Sequence, residues 1–566
     1  MASALAFRCS QIAQWLCHRQ VTSKNYFMKQ CSGLSQLESL HDKSRFPENA
    51  VMKETRNSLY NGFFSDPSDV EGEYLRAIQD LNHLQTNSQV IALAKYKNPE
   101  TILPLFAKQL KLAGLDVSRL DRLNIIHVSG TKGKGSTCAL VDSILRESGL
   151  KTGFYNSPHL VKVTERFKIN GFPITESLFS KYFRTIYDRL QEGSRIEGLS
   201  MPSYFSFLTI LAFHVFLEEK VDCAIIEVGI GGDYDPTNII EKPIVCGITT
   251  LDFDHTNILG NTLKSIAWSK AGIIKKDSIV YTVEQDQQEA LDVITSRAEA
   301  KGCPVYICKP LDTKLLGIKL GIDGTVQRIN ASLACHLARQ FLITTRPDIK
   351  DPLLEISNQS GRSLTITDIP SESFRRGLEK CHWPGRCQII SFPRFKFFLD
   401  GAHTKKSMAN CVEWFLINSA TGDVIRVLMI NVIGERDKVE VLRPSAQPGY
   451  FDLVVFSTNR INSSGETPKS ETFVNSNALN NEKSLENAKN NMSIWDNLYK
   501  HSQEQCNQGL PKVNLSDNVS DGIEMIITKF RVHDSRKIHI LVTGSLHFVG
   551  AVLETLPQYS HRLEKL

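Results

Sequence analysis

The chain lacks three things whose absence narrows the field. It has no uncharged apolar run long enough to cross a bilayer, for which about 20 residues are needed. The nearest, residues 201–217, is broken by Ser203, Ser206 and His214 and reads as a buried helix. It has no CxxC pair: 13 cysteines lie scattered between Cys9 and Cys506, and Cys303/Cys308 lacks a second half with matching ligands. Without a secretory core near Ala2–Phe7 these thiols read as reduced and mostly buried, which excludes a disulfide scaffold and a zinc ribbon. It also has little net charge, 66 Lys+Arg against 61 Asp+Glu, or +5 over 566 residues. Hydrophobic residues at 41% and charged residues at 22% exclude a disordered, collagenous or coiled-coil chain. The length suggests two or more domains.

Acid is absent from one stretch in particular. Residues 1–37 hold Arg8, Arg19, Lys24 and Lys29 and no Asp or Glu. An acid-free, Ser-rich, basic leader looks like a mitochondrial transit peptide, the alternative being an undirected flexible terminus. Without it the balance falls to 62 against 61, or +1, so the slight basicity carries no hint of a nucleic-acid partner and none is expected. Met52 lies just beyond the leader. Initiation there would give a cytoplasmic form beside the mitochondrial one.

What is present is an α/β pattern. Apolar spacing predicts helices near residues 74–84 and 102–113, then a strand over 123–128, a Gly-rich turn at 130–135 and a helix over 136–148. Further strands are expected at 151–155, 221–228 and 244–249, with helices around 179–190, 205–217 and 262–270 between and after them. Alternation of this kind implies a mainly parallel sheet with helices on both faces, whose ligands bind beyond the carboxyl ends of its strands. Composition shifts at about 344–370, read as a linker. A second, smaller Rossmann-like α/β pattern follows, with strands at 395–399, 425–430, 451–456 and 538–542 and a helix at 405–417. Its stretch 459–521 is so rich in Asn, Ser, Glu and Lys that an exposed insertion or disordered loop is expected. The expected organisation is therefore a leader and flexible N-terminus over 1–51, a first α/β domain with a mainly parallel sheet of P-loop type over 73–345, a linker over 346–370, and a second domain over 371–566.

The chemistry concentrates at strand ends. Gly130-Thr131-Lys132-Gly133-Lys134-Gly135-Ser136-Thr137 follows a strand and opens a helix. Backbone amides of such a turn, with the helix N-terminus, suit phosphate oxygens, and Lys134 can reach the β/γ-phosphates. The strict GxxxxGK[ST] pattern fails: Val128 stands at its first Gly position and Gly135 follows the lysine, so a plain Gly-rich turn is the competing reading. Glu227, at the end of one strand, can hold Mg²⁺ beside a triphosphate or be merely solvated. Asp254-His255 and Ser157-Pro158-His159 follow two other strands; His255 reads as a metal ligand or a cap. Lys162, Arg166 and Lys168 alternate with apolar residues, which fits either a solvated edge strand or a guide for a polyanionic chain.

Several of these segments together resemble the folylpolyglutamate synthases of the Mur-ligase superfamily: GTKGKGST (130–137), NSPHL (156–160), EVGIGG (227–232), LDFDHTNILG (251–260), WSKAGIIK (268–275), WPGR (383–386), LDGAHT (399–404), INVIGERD (430–437) and LVTGSLHFVG (541–550). The resemblance covers about residues 73–456 and 537–556, and with the leader it fits the eukaryotic, mitochondrial-plus-cytosolic type. It implies an ATP-dependent ligase adding L-glutamate in γ-linkage to tetrahydrofolate and its polyglutamates through an acyl phosphate. In that reading Gly133, Lys134, Gly135 and Ser136 bind ATP phosphates. Ser157, Glu227 and His255 coordinate Mg²⁺, with room for a monovalent cation such as K⁺. Lys270 matches the lysine that can become carbamylated. Arg386 and Asp400 touch ATP from the second domain, His403 meets the phosphates or the incoming glutamate, and Gln327 and Asn330 match an adenine-side pattern. A monomer without a transmembrane segment is implied, in the mitochondrial matrix with inner-membrane association and in the cytoplasm. The departures Thr164, Asn261 and Ile430 fall on substrate-side or packing positions. Dihydrofolate synthase activity stays open beside the favoured one. A P-loop kinase or switch NTPase is argued against by the second domain with Arg386 and Asp400, and a dead scaffold by intact Lys134, Glu227 and His255.

Overall fold

In a computed structural model, the structure describes residues 67–84, 99–346, 363–366, 368, 371–420, 422–434, 436–462, 481–503, 511–530 and 536–566. The leader, Met52 and most of the expected linker lie outside the described residues.

The first sheet uses β1 (Ile125–Ser129), β2 (Thr152–Tyr155), β3 (Phe167–Ile169), β4 (Phe172–Pro173), β5 (Cys223–Glu227), β6 (Val245–Ile248), β7 (Ile279–Val283), β8 (Val305–Cys308) and β9 (Ser363–Leu364). Their spatial order is β4-β3-β2-β5-β1-β6-β7-β8-β9, with only the β2–β3 and β3–β4 pairings antiparallel. Strands β1, β2, β5 and β6 are buried at every position, as expected of strands covered on both faces.

The covering helices are α1 (Pro67–His83), α2 (Ile102–Leu112), α3 (Lys134–Glu147), α4 (Glu176–Glu197), α5 (Tyr204–Glu218), α6 (Thr256–Leu259), α7 (Leu263–Lys270), α8 (Gln288–Glu299), α9 (Gln327–Thr345) and α10 (Glu372–Lys380). Helix α5 is the apolar run of the sequence. Its residues 207–216 are all buried, including His214, so it is a core helix between layers. Phe179, Phe183 and Tyr187 of α4 stack along one face and meet Phe207 of α5. Among the described residues no helix is long and apolar enough to cross a membrane.

The second sheet holds β10 (Gln388–Ser391), β11 (Phe395–Leu399), β12 (Val424–Ile430), β13 (Leu453–Ser457), β14 (Lys512–Ser516) and β15 (Lys537–Thr543), in the order β10-β11-β15-β12-β13-β14. Only β10 runs antiparallel. Helices α11 (Lys405–Asn418), α12 (Lys438–Leu442), α13 (Asn481–Gln503), α14 (Val519–Lys529) and α15 (Leu546–Lys565) cover it.

Three expectations change. Helix α10, assigned to the second domain, packs on α3 of the first. Its Phe374 and Leu378 share a core with Ile144, and a Cβ added at Gly377 would lie 2.5 Å from the Ile144 Cα. Within the expected linker, Ser363–Leu364 adds a strand to the first sheet. The polar stretch 459–521 is not an exposed loop where it is described. It contributes α13, strand β14 and the start of α14, and Trp495 is 1% exposed. Average composition hid a helical stripe: Ala488, Asn491, Trp495 and Tyr499, three or four residues apart, are all buried.

Candidate functional site

Strand β1 lies between β5 and β6, with β2 outside β5. The carboxyl ends of these four parallel strands release the glycine-rich turn, Ser157, Glu227 and His255 side by side. The turn is fastened to the end of β6: Thr131 and Lys132 both donate backbone N–H bonds to the Thr250 carbonyl at 3.0 Å. Gly130 takes φ +140°, and a Cβ there would lie 1.8 Å from Thr249 Oγ1. Gly133 takes φ +94° where α3 begins, and a Cβ would lie 2.2 Å from Asn330 Oδ1. Only glycine fits either position without rebuilding the contact. Asn330 donates to Gln327 at 2.9 Å, so α9 buttresses the turn from behind.

The missing hydroxyl after Lys134 also has a structural cause. A Cβ at Gly135 already stands 3.2 Å from the Trp383 ring and 3.5 Å from Glu227 Oε2. Trp383 belongs to the WPGR segment, lies tilted against Phe154 of β2 at 5.4 Å and carries the Lys168 ammonium 4.1 Å from its ring centre. Nothing in the sequence pattern pointed to this tryptophan as part of the turn's wall.

Three lysines converge here. Lys134 Nζ donates to the Gly130 carbonyl at 3.2 Å and Lys270 Nζ to the same oxygen at 2.8 Å. Lys270 is 3% exposed; burial, with the Lys134 charge beside it, holds its ammonium well below the usual lysine range. The cost of burying a second cation favours the neutral amine. Glu227 shows the opposite case. Burial raises its carboxyl, and the Lys134 charge and the Ser157 N–H, 3.2 Å from Oε2, oppose that. His255 sits at φ +51° at the start of α6, its imidazole lowered by burial, with the Lys134 and Lys270 charges adding to it.

Lys132, on the other side of the turn, reaches the second sheet. Its Nζ lies 3.0 Å from Asp254 Oδ2 and 3.1 Å from His403 Nε2. His403 Nδ1 lies 2.8 Å from the Gly401 carbonyl. Nδ1 is therefore assigned the proton, and Nε2 accepts from the lysine. Burial moves His403 down to about 4, so the imidazole is neutral at ordinary pH. Burial alone would raise Asp254, but its contacts with His403 and Lys132 hold it well below the usual carboxylate range. Sequence reasoning named His403 and Asp254 separately and missed the lysine that joins them.

The second sheet presents β11, β15 and β12 to the same cleft. Asp400 closes β11; burial raises its carboxyl, opposed by Arg386, and its Oδ2 accepts from the Cys387 N–H at 3.0 Å. Gly401 donates to the Gly385 carbonyl at 3.1 Å, which ties WPGR to the Asp400–His403 turn. Arg436, in the turn after β12, donates to the Ile433 carbonyl at 3.1 Å, and its charge reaches His255, His403 and His547. It was visible in sequence only as part of a motif without a role.

The three basic residues after Ser157-Pro158-His159 do not form an open track. Lys162 pairs with Glu176, Arg166 donates to His159 Nδ1 at 3.0 Å, and Lys168 caps Trp383. Among the described residues no cluster of three or more His, Cys, Asp or Glu gathers as a metal cage. The donor set at the strand ends is instead one carboxylate, one hydroxyl and one imidazole. Near it the Thr137 hydroxyl and the Asn156 amide oxygen are buried without a hydrogen-bond partner. The carboxylate and hydroxyl oxygens, with the imidazole completing the set, fit Mg²⁺, which keeps waters and substrate phosphates in its shell.

No family model matches the chain. The human protein named folylpolyglutamate synthase, mitochondrial, is 38% identical over 553 residues, spanning 87% of this chain and 93% of the relative. A bovine protein of the same name is 44% identical over 421 residues, 72% of each chain. A Saccharomyces cerevisiae folylpolyglutamate synthase is 36% identical over 543 residues, 91% of this chain and 94% of the relative. Among solved structures, Mycobacterium tuberculosis folylpolyglutamate synthase complexed with ADP matches with a TM-score of 0.65 at 22% identity, over 86% of this chain and 98% of that one. The apo form of L. casei FPGS matches with a TM-score of 0.60 at 22% identity, over 86% and 99%. The structural likeness gives the fold. The human and yeast relatives, matched at more than a third identity over nearly their whole length, give the lineage: the chain belongs to the folylpolyglutamate synthase family.

Proposed function

We propose that the cleft between the two sheets performs the ATP-dependent γ-glutamylation of folates in two steps. The γ-carboxylate of the folate's terminal glutamate attacks the γ-phosphorus of ATP and releases ADP. The amine of free L-glutamate then attacks the acyl phosphate, and phosphate leaves as the amide forms. The observation that carries this reading is a cationic, glycine-built turn at the end of β1 whose Lys132 meets His403, from the edge of the second sheet, at 3.1 Å.

The division of labour follows from the residues. The amides of Gly133, Gly135 and Ser136 and the Lys134 ammonium cradle the phosphates and offset the charge that develops on the transferring group. Ser157, Glu227 and His255 would hold Mg²⁺, which when bound neutralises phosphate oxygens. Lys270, buried and favouring its neutral amine, has the form that carbamylation requires. Arg386 and Asp400 close on the nucleotide from the second sheet, and Gln327 and Asn330 back the turn. His403, neutral and held by Gly401, accepts from Lys132 at Nε2 and so holds that cation beside the turn, where it meets the phosphates or the incoming glutamate. Closure of the two halves keeps water from the acyl phosphate. A monovalent cation, a monomeric state and domain limits near 73–345 and 371–566 belong to the same proposal, with α10 moved to the first domain. The human and bovine relatives are named mitochondrial. We assign this chain to the mitochondrion, with inner-membrane association and a cytoplasmic form from Met52 as the finer part of the proposal.

The test is incorporation of labelled L-glutamate into tetrahydrofolate monoglutamate with product length resolved. ATP-dependent lengthening is expected; none would overturn the reading. A parallel arm with dihydropteroate decides whether dihydrofolate synthase activity accompanies it.

A further inference from the structure

The stretch that looked dispensable grips the active-site edge of the second sheet. Along one face of α13, Asn487 and Asn491 stand one turn apart. The Asn487 side-chain amide donates to Asn431 Oδ1 at 3.3 Å and to the Val432 carbonyl at 2.9 Å. Asn491 donates to the same two acceptors at 3.2 and 2.9 Å. Asn431 in turn donates to Asn459 Oδ1 at 2.8 Å. Asn431 is 1% exposed and Asn491 fully buried, so the bonds of Asn491 lie out of water, where losing a partner is costly.

The gripped residues begin the turn that carries Arg436. Asn431 follows the last residue of β12, and its N–H donates to the Thr543 carbonyl at the end of β15, 3.2 Å away. A Cβ added at Gly544 would meet the Asn431 carbonyl at 2.5 Å, so the strand side of the turn has no slack. Four residues beyond Val432, Arg436 folds back to the Ile433 carbonyl. The helix is anchored independently of this grip: Trp495 Nε1 donates to Ser445 Oγ at 3.1 Å and its ring meets Phe456 of β13 edge-on at 6.3 Å.

We propose that Asn487 and Asn491 of α13 are positioning residues for ligation: they clamp the turn after β12 from outside and so fix Arg436 in the cleft. The inserted helix thereby serves the reaction without touching substrate. This rests on the ligase reading above.

The test is a double-mutant cycle on the full chain, read as kcat/KM for ATP in glutamate incorporation. Asn487→Ala/Asn491→Ala is expected to lose about tenfold in the unaltered background and less than about twofold when Arg436→Ala is already present, because residues acting through one another are non-additive. Equal losses in both backgrounds would overturn the clamp, as would an Arg436→Ala variant with unchanged kcat/KM. Asn491→Asp keeps the volume and replaces the donor by an acceptor facing the Val432 carbonyl. It is expected to lose as much as the alanine variant, whereas a packing role predicts near-normal activity and would sink the proposal. If the double variant does not fold, the half-exposed Asn487→Ala alone completes the same cycle. Failure of the unaltered chain to incorporate glutamate would overturn the ligase reading, and the clamp with it; additive losses overturn the clamp alone.

Discussion

The two strand-end edges that face the cleft are built differently. The edge of the first sheet is backbone: Gly130 and Gly133 sit where no side chain fits, and Thr131 and Lys132 hang from a single carbonyl at the end of β6. The edge of the second sheet is held by side chains: Asp400 on Cys387, His403 on Gly401 and Lys132, Asn431 under two asparagines of α13. A backbone-built edge demands glycines at fixed spacing and is readable as a motif. A side-chain-built edge draws its supports from distant segments and is not.

That contrast can be broken from either side. Lys134→Ala should have the largest effect, abolishing ligation, a loss of about 10³-fold or more. Its melting temperature should stay within about 2 °C, because the one hydrogen bond described for the ammonium is to a neighbouring carbonyl. Normal ligation by this variant would remove the first edge from the mechanism. Trp495→Ala should destabilise the protein by about 3–5 kcal/mol in chemical denaturation, as a buried aromatic does. An unchanged midpoint would mean that α13 is the dispensable insertion its composition suggested.

Lys132→Met sharpens the comparison, since it cuts the one hydrogen-bonded link described between the glycine-rich turn and His403. A charge-assisted bond of this kind is worth about 1.5–3 kcal/mol, which predicts a fall in kcat/KM of about ten- to a hundredfold with KM for ATP changing less than kcat. An effect confined to KM would reassign Lys132 to nucleotide binding.

A pH dependence follows from three buried histidines. His336, His403 and His547 are each moved by burial to about 4, against an ordinary histidine near 6.5. Because the folded state binds these protons less readily than the unfolded chain, stability is full above about pH 6.5 and is lost as pH falls toward 4. Denaturation midpoints measured across that window should decline, and His403→Gln should flatten part of the slope. A stability flat from 6.5 to 4 would contradict the buried neutral assignment.

Much of the first half was legible because period and glycine placement report local backbone needs. The strand before the turn, the buried apolar helix α5 and the grouping of Lys134, Glu227, Ser157 and His255 at adjacent strand ends all follow from such signals. The elements β7, α8, β8 and α9, over residues 279–345, drew no expectation as secondary structure, although Gln327 and Asn330 of α9 were singled out. What stayed hidden is long-range. Trp383 lies 248 residues from Gly135 and explains why that position is glycine. Lys132 meets His403 across 271 residues. Helix α13 was masked by asparagines that raise the polarity of a segment even when, as with Asn491, they are wholly buried. Polarity predicts exposure only where the polar group has no internal partner, and here it has two.

The central claim is that the cleft joins glutamate to folate through an acyl phosphate made at the turn of β1. Folate carrying ¹⁸O in its γ-carboxylate, incubated with ATP, L-glutamate and the unaltered protein, tests it most directly. One ¹⁸O is expected in the inorganic phosphate released for each amide formed, and no labelled phosphate with Lys134→Ala. Amide formation with unlabelled phosphate would contradict it.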